Sequence, residues 1–392
     1  MALRNQPIFD VDQHYYEPLD AFTRYLPAKW KSRTVQQIDV EGRTRFLVAG
    51  KINETVSNPT FDPIVKPGAM VEYFRGNPKN KTLADCLANR EPLPGYYRDP
   101  VARLTVLDDQ GVDYCWMLPT LGMAYEADMQ EDPQACAVAF HAFNEWLLDD
   151  WGFVHQGRIF STPYLAMGDV AAATREVDWM LEKGARIIVV RPSAVCTSDG
   201  WKSPGDPIFD PIWSRIREAD AVLVPHVAEV GGFGIDRYVA YDPNVIGKGV
   251  SPMQSVVGHE RPIANYMAAL VCDRLFERIP GLKVASVENG AEFLYSVLRG
   301  LHRASYLAPG YFSTDPVETF KQHVWVAPFW EDKIEEAVAM IGADRVLFGS
   351  DWPHPEGMET PRDFERELES VDDPAAKRKI MYENAAYLTG VA

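Results

Sequence analysis

Eight short apolar, β-branched runs punctuate this chain, and most gaps between them carry a helical pattern. The runs cover residues 8–14, 112–119, 159–166, 186–192, 221–228, 283–289, 323–329 and 345–353. Strands that alternate with helices imply a parallel sheet, because a parallel return needs a long crossover. Eight such units favour a closed α/β (β/α)8 TIM barrel over an open doubly wound sheet. No glycine-rich phosphate loop follows any run, which counts further against dinucleotide binding. The first expected helix, Pro100 to Gly111, has apolar residues spaced by three to four and a glycine stop. Residues 133–151, 169–183, 210–220, 262–279 and 331–342 read likewise, with Asp169 as a cap and Gly184 as a stop.

Two stretches do not fit the repeat. Residues 30–98 separate the first strand from its helix and contain an expected hairpin, Thr34–Val40 and Thr44–Ile52, turned at Glu41-Gly42-Arg43. Residues 229–258 follow the fifth strand and are rich in Gly and Pro. Both leave C-terminal strand ends, where barrels carry their active sites, so both are expected to cover the mouth as a cap or lid. No linker demands a second domain, so residues 1–392 read as one barrel with insertions after strands one and five.

Charge and composition narrow the partners. Basic residues number 39 and acidic ones 56, a formal net charge of −17 that repels nucleic acid. No apolar run is long enough for a bilayer, and the N-terminus lacks a signal peptide's apolar stretch. Five scattered cysteines without Cys-x-x-Cys spacing point to free thiols in a reducing cytoplasm and away from a sulfur-ligated metal.

Three runs end on metal-type ligands. Asp12 and His14 stand two apart in Phe-Asp-Val-Asp-Gln-His, so they share a strand face. His226 closes Ala-Val-Leu-Val-Pro-His, and Asp351 closes Val-Leu-Phe-Gly-Ser-Asp. Each signal is ambiguous alone. Asp-x-His also fits a buried histidine bonded to a carboxylate, a lone strand-end histidine is commonly structural, and a strand-end aspartate often caps a helix. Together they carry more weight, since strands one, five and eight can aim their ends at one point above a barrel.

The chain resembles the amidohydrolase superfamily, in the branch of aminocarboxymuconate-semialdehyde decarboxylase and γ-resorcylate decarboxylase. The resemblance covers nearly the whole length. It rests on Phe9-Asp-Val-Asp-Gln-His-Tyr-Tyr-Glu-Pro18, Pro225-His226, Phe348-Gly-Ser-Asp-Trp-Pro-His354 and Ile380-Met-Tyr-Glu-Asn-Ala-Ala-Tyr-Leu-Thr-Gly390. It implies that Asp12, His14, His226 and Asp351 hold one divalent cation, and that Asp351 also serves as catalytic acid/base. Two departures stand out. Asp12 replaces the more frequent first histidine, and Val287-Glu288-Asn289-Gly290 stands where the family often reads Ala-His-Gly-Gly. Glu288 then serves either as general base or as a structural ion-pair partner. The fourth strand lacks the lysine that bridges two metals in many relatives, which favours a single ion. Its ligands suit zinc or manganese.

Substrate contacts are expected from Arg191, through a bidentate pair with a carboxylate, unless it bridges to a neighbouring strand end. Trp116, Trp352, His354 and His259 fall near strand ends or the second insertion, as do Tyr125, Phe329 and Trp330, which can equally be packing residues. The leading expectation is a metal-dependent, non-oxidative decarboxylase of an aromatic or unsaturated carboxylic acid. A hydrolase or hydratase working through metal-activated water is the alternative, and a non-catalytic binding barrel a second one. The resemblance further implies a homodimer or homotetramer.

Overall fold

The structure is a computed structural model and describes residues 6–56, 58–228 and 260–391. The second insertion, residues 229–258, and His259 lie outside the described residues.

Parallel pairing runs from strand to strand without interruption. Phe9–His14 pairs with Tyr114–Leu118, and that strand with Ile159–Ser161. A bridge from Tyr164 to Val189 leads on to Ile187–Val190, then Val222–Pro225, Lys283–Ser286 and Val324–Val326 follow in order. Val326 bridges Val346, and Trp352 bridges back to Gln13 on the first strand. The pairings thus return to the strand where they began. The first, fourth, fifth and sixth strands are buried at every residue, as expected of strands covered on both faces.

The eighth run is the one that departs from a regular strand. Leu347 N donates to Val326 O at 2.8 Å, and Val11 N donates to Phe348 O at 2.9 Å, so the ladder forms. It breaks at Ser350, whose N and Oγ both turn to the Asp10 carboxylate, and at Asp351, which takes φ 54°.

Helices start and stop where local chemistry directs them. Asp99, Asp132, Asp315 and Asp373 each cap a helix that begins with proline, satisfying amides that have no partner inside the helix. Gly111 closes Pro100–Gln110 in the left-handed conformation, with φ 67°. The hairpin forms as Val35–Val40 against Arg43–Val48. Its turn residues Glu41 and Gly42 have φ 53° and 75°, which suits a tight two-residue turn. The second strand stops at Val48 because Ala49 and Gly50 turn again into Lys51–Ile52. Phe46 then packs edge-on against Tyr125 at 5.8 Å, tying the hairpin to the helix Gly122–Met129 that follows the strand Tyr114–Leu118. All five cysteines are free, and no helix among the described residues is long and apolar enough to cross a membrane.

Candidate metal centre

Asp12 and His14 leave the same face of the first strand, and their Oδ1 and Nε2 atoms lie 3.2 Å apart. His226 follows Pro225 at the end of the fifth strand and bridges Val287, which places Glu288 beside it. Glu288 Oε2 lies 2.9 Å from His226 Nε2 and 3.4 Å from His14 Nε2. His226 Nε2 is also 3.6 Å from Asp12 Oδ1. One ligand atom from each of Asp12, His14, His226 and Glu288 falls within 4.8 Å of the others. Asp351 forms a second, overlapping group with His14, Glu288 and His354, its Oδ1 3.4 Å from His14 Nε2.

The imidazoles are oriented from behind. His14 Nδ1 donates to Pro119 O at 3.3 Å, and His226 Nδ1 donates to Val227 O at 2.9 Å. A carbonyl can only accept, so both rings carry hydrogen on Nδ1 and turn Nε2 toward the carboxylates. That is how metal-binding histidines are usually held. His226 Nε2 and Glu288 Oε2 are buried and make no hydrogen bond despite their proximity. Burial alone would lower His226, yet the Glu288 and Asp12 carboxylates outweigh it and lift the imidazole to about 10. Burial likewise opposes ionisation of Glu288, but the facing His226 charge holds it below the ordinary carboxylate range. Protons here supply the positive charge that the donor set demands, and a divalent cation would displace them. The residues therefore fit a single hard or borderline ion.

Two of the carboxylates stand on unusual backbone. Glu288 and Asp351 both have φ 54°, a region that side-chain-bearing residues visit rarely and at a cost of about 1–2 kcal/mol. Close backbone approach holds Asp351 there. A Cβ on Gly357 would sit 2.1 Å from Asp351 O, and one on Gly349 would sit 2.8 Å from Asp12 Cβ. Buried Arg103 fixes the first strand's end, donating to His14 O and, at 3.2 Å, to Gln13 Oε1. Its guanidinium lies over the Trp352 ring at 4.5 Å.

Burial and then the Glu288 charge raise Asp351 well above the carboxylate range, while burial and the His14 charge push His354 well below its own. Both directions favour a proton on the carboxyl side of the 2.6 Å contact between Asp351 Oδ1 and His354 Nδ1. His354 Nε2 then donates to Thr120 Oγ1 at 3.2 Å, and Thr120 passes its own hydrogen to Tyr15 O at 2.9 Å.

These groups form the floor of a cavity of about 1090 Å³. The amidohydrolase family model matches residues 84–390, more than half of the chain. The chain belongs to the amidohydrolase family. Its structure matches that of an amidohydrolase from Mycobacterium avium subsp. paratuberculosis K-10 with TM-score 0.93 and 38% identity, over 99% of this chain and 100% of that one. Two more distant structures share the fold. One is a dihydroxybenzoic acid decarboxylase from Polaromonas sp. JS666 with bound manganese and 2-nitroresorcinol, at TM-score 0.60 and 19% identity, over 74% of this chain and 85% of that one. The other is a 5-carboxyvanillate decarboxylase from Novosphingobium aromaticivorans DSM 12444 with bound manganese, at TM-score 0.61 and 15% identity, over 99% and 98%. No curated protein matches the chain.

This amidohydrolase is thus an enzyme, a lyase or a hydrolase, with a possible metal-binding site. Of the residues expected from sequence, Asp12, His14, His226, Glu288, Asp351 and His354 meet at the cavity floor. Glu288 stands closer to the histidine pair than expected, inside the tight group that was read for Asp351. Three residues expected to contact substrate stand away from the cavity. Arg191 turns toward the helical layer, where Nε lies 3.5 Å from Glu126 and Nη2 donates to Gln130 at 3.0 Å. Tyr164 shares Glu126 and stacks on Phe140 of the helix Pro133–Asp150, which shows which way this network faces. Trp116 is wholly buried and donates to Thr389 at 2.8 Å, on the side of the C-terminal helix. Trp352 packs under Tyr97 and Arg103. None of the three lines the cavity. Sequence reasoning missed Thr120 and Glu356, which do line it. Each sits in irregular chain with no periodic pattern or motif to single it out.

Proposed function

We propose that this amidohydrolase is a metal-dependent, non-oxidative decarboxylase of an aromatic or unsaturated carboxylic acid, working at the C-terminal rim of a closed (β/α)8 barrel. The observation that carries the reading is the pair of Nε2-directed imidazoles facing two carboxylates, with Asp351 at 3.4 Å from the nearer ring. Asp12, His14, His226 and Glu288 would hold the ion, zinc or manganese, with Asp351 as a further neighbour. When bound, the ion supplies Lewis acidity and a template for a carboxylate and an adjacent hydroxyl or oxo group.

The chain's own residues do the rest. Asp351 gives its proton from Oδ1 to the carbon that bears the carboxylate. The carbon–carbon bond then breaks, its electron pair restores the ring or alkene, and carbon dioxide leaves. His354, hydrogen-bonded to Asp351 and Thr120, keeps the acid aimed, and a proton from water restores it once product has left. Residues 30–98 would act as a cap that keeps bulk water from this proton.

A hydrolase or hydratase is the second reading, favoured by one feature. Glu288 remains ionised beside both imidazoles, as a base that takes a proton from water would. Assays over hydroxybenzoates, muconate semialdehydes and lactones in oxygen-18 water separate the two. Decarboxylation gives carbon dioxide and a product with one solvent-derived hydrogen on carbon. Label in the product without gas release overturns the proposal. Asp351→Asn abolishes turnover, and retained activity removes its assigned role.

A further inference from the structure

The cavity is far larger than a single-ring acid requires. Its volume of about 1090 Å³ matches pockets that enclose drug-sized ligands, which run to roughly 1,000 Å³. Its walls differ in character. On one side stand Met70, Phe74, Leu83 and Leu87, all from the 30–98 insertion. Leu83 and Leu87 lie four apart on one face of the helix Leu83–Cys86 and its cap, and Phe74 is 41% exposed. With Met70, Leu83 and Leu87 beside it, Phe74 makes a continuous apolar wall on this side of the open cavity. On another side stand Glu260, Glu331, Asp332 and Glu356. None of these four forms an ion pair among the described residues. Glu260 and Asp332 instead accept from backbone amides, Glu260 from Glu292 N and Asp332 from Ala291 N and Phe329 N.

We infer that the substrate carries one metal-directed head group on a large, uncharged, apolar body of two or more rings, which Met70, Phe74, Leu83 and Leu87 receive. The head-group half of this statement rests on the metal-dependent reading above. The body half rests on the apolar wall alone. The acidic wall adds a restriction. A second carboxylate on the body would be desolvated against acidic side chains that burial already holds toward their protonated forms, with no neutralising cation among the described lining residues but Arg261.

Binding of benzoate, 2-naphthoate and 1-pyrenebutyrate to the metal-loaded enzyme tests this by calorimetry. Apolar burial predicts that Kd tightens by roughly tenfold or more at each step. A second carboxylate, as in 2,6-naphthalenedicarboxylate, weakens binding by about tenfold relative to 2-naphthoate. The double variant Leu83→Asp, Leu87→Asp keeps its metal and loses the gain from benzoate to pyrenebutyrate. Both leucines lie on a short surface helix, so folding is spared. Equal affinity across the series, or a gain that survives in the double variant, overturns the inference. Repeating the series after chelation separates this claim from the metal reading. The gain with ring number persists without metal if the wall is as described, whereas a failed metal reading shows as unchanged affinity for benzoate.

Discussion

The floor and the insertion wall of the cavity are built in opposite ways. On the floor, Asp12, His14 and His226 are at most 3% exposed and stand on or beside parallel strands. The two imidazoles are backed from behind, His14 by Pro119 O and Arg103 and His226 by Val227 O. The insertion wall has strands of two residues, Ile64–Val65 and Arg90–Glu91, and helices of four, Val71–Phe74 and Leu83–Cys86. Elements that short gain little from their own hydrogen bonds and depend on what they pack against. The difference teaches that chemistry and reach are separable here. Ladder geometry fixes where charge and protons sit, and a loosely built segment decides how much substrate can lie above them.

His226→Ala gives the largest expected effect and strikes the floor alone. Metal content falls toward zero by elemental analysis, and kcat/KM falls by at least about a thousandfold, since an ion of this kind contributes several kcal/mol at the transition state. The paired aspartate variant of Leu83 and Leu87 keeps its metal. If both variants lose the ion alike, the division between floor and wall is broken.

Gly357→Ala comes next. The new methyl would meet Asp351 O at 2.1 Å, and backbone has no rotamer with which to yield. Urea unfolding should show a loss of about 3 kcal/mol. An unchanged midpoint would mean that the Asp351 turn is not held by this contact.

A subtler effect lies in pH. Glu17 is buried and accepts from Thr120 N and Gly122 N at 3.1 Å, which fixes the loop that orients His14 and His354. Burial pushes its carboxyl from 4.5 up to about 7. Between those values the folded chain holds a proton that the unfolded chain has released. Stability therefore falls as pH rises through that window, by up to about 3 kcal/mol from this group, and is flat above it. Glu17→Gln removes that share of the slope, measured as urea stability at pH 5 and pH 8. Equal slopes in both proteins would assign the effect to other groups.

Much of this was legible beforehand, for physical reasons. A buried parallel strand is a continuous apolar run, and Asp-Pro or glycine marks helix ends, so the order of elements could be read off. The pairing of Asp12 with His14 followed from the two-residue repeat of a strand. Glu288 and Asp351 resisted the same logic. Their positive φ turns each side chain away from the direction its strand dictates, so their relative depth in the site is invisible to pattern. Arg191 misled because a strand-end position does not say whether a side chain faces the cavity or the helical layer. Phe74 and Leu83 carried no signal, since short helices inside an insertion have too few residues to show a period.

The central claim is one ion shared by four side chains from three separate strands. A crystal structure of protein grown with added manganese, with anomalous data at the manganese edge, tests it directly. The account predicts one peak at full occupancy, about 2.0–2.3 Å from oxygens of Asp12 and Glu288 and from Nε2 of His14 and His226. A peak elsewhere, or His226 and Glu288 still in contact at 2.9 Å with no density between them and their neighbours, would contradict it.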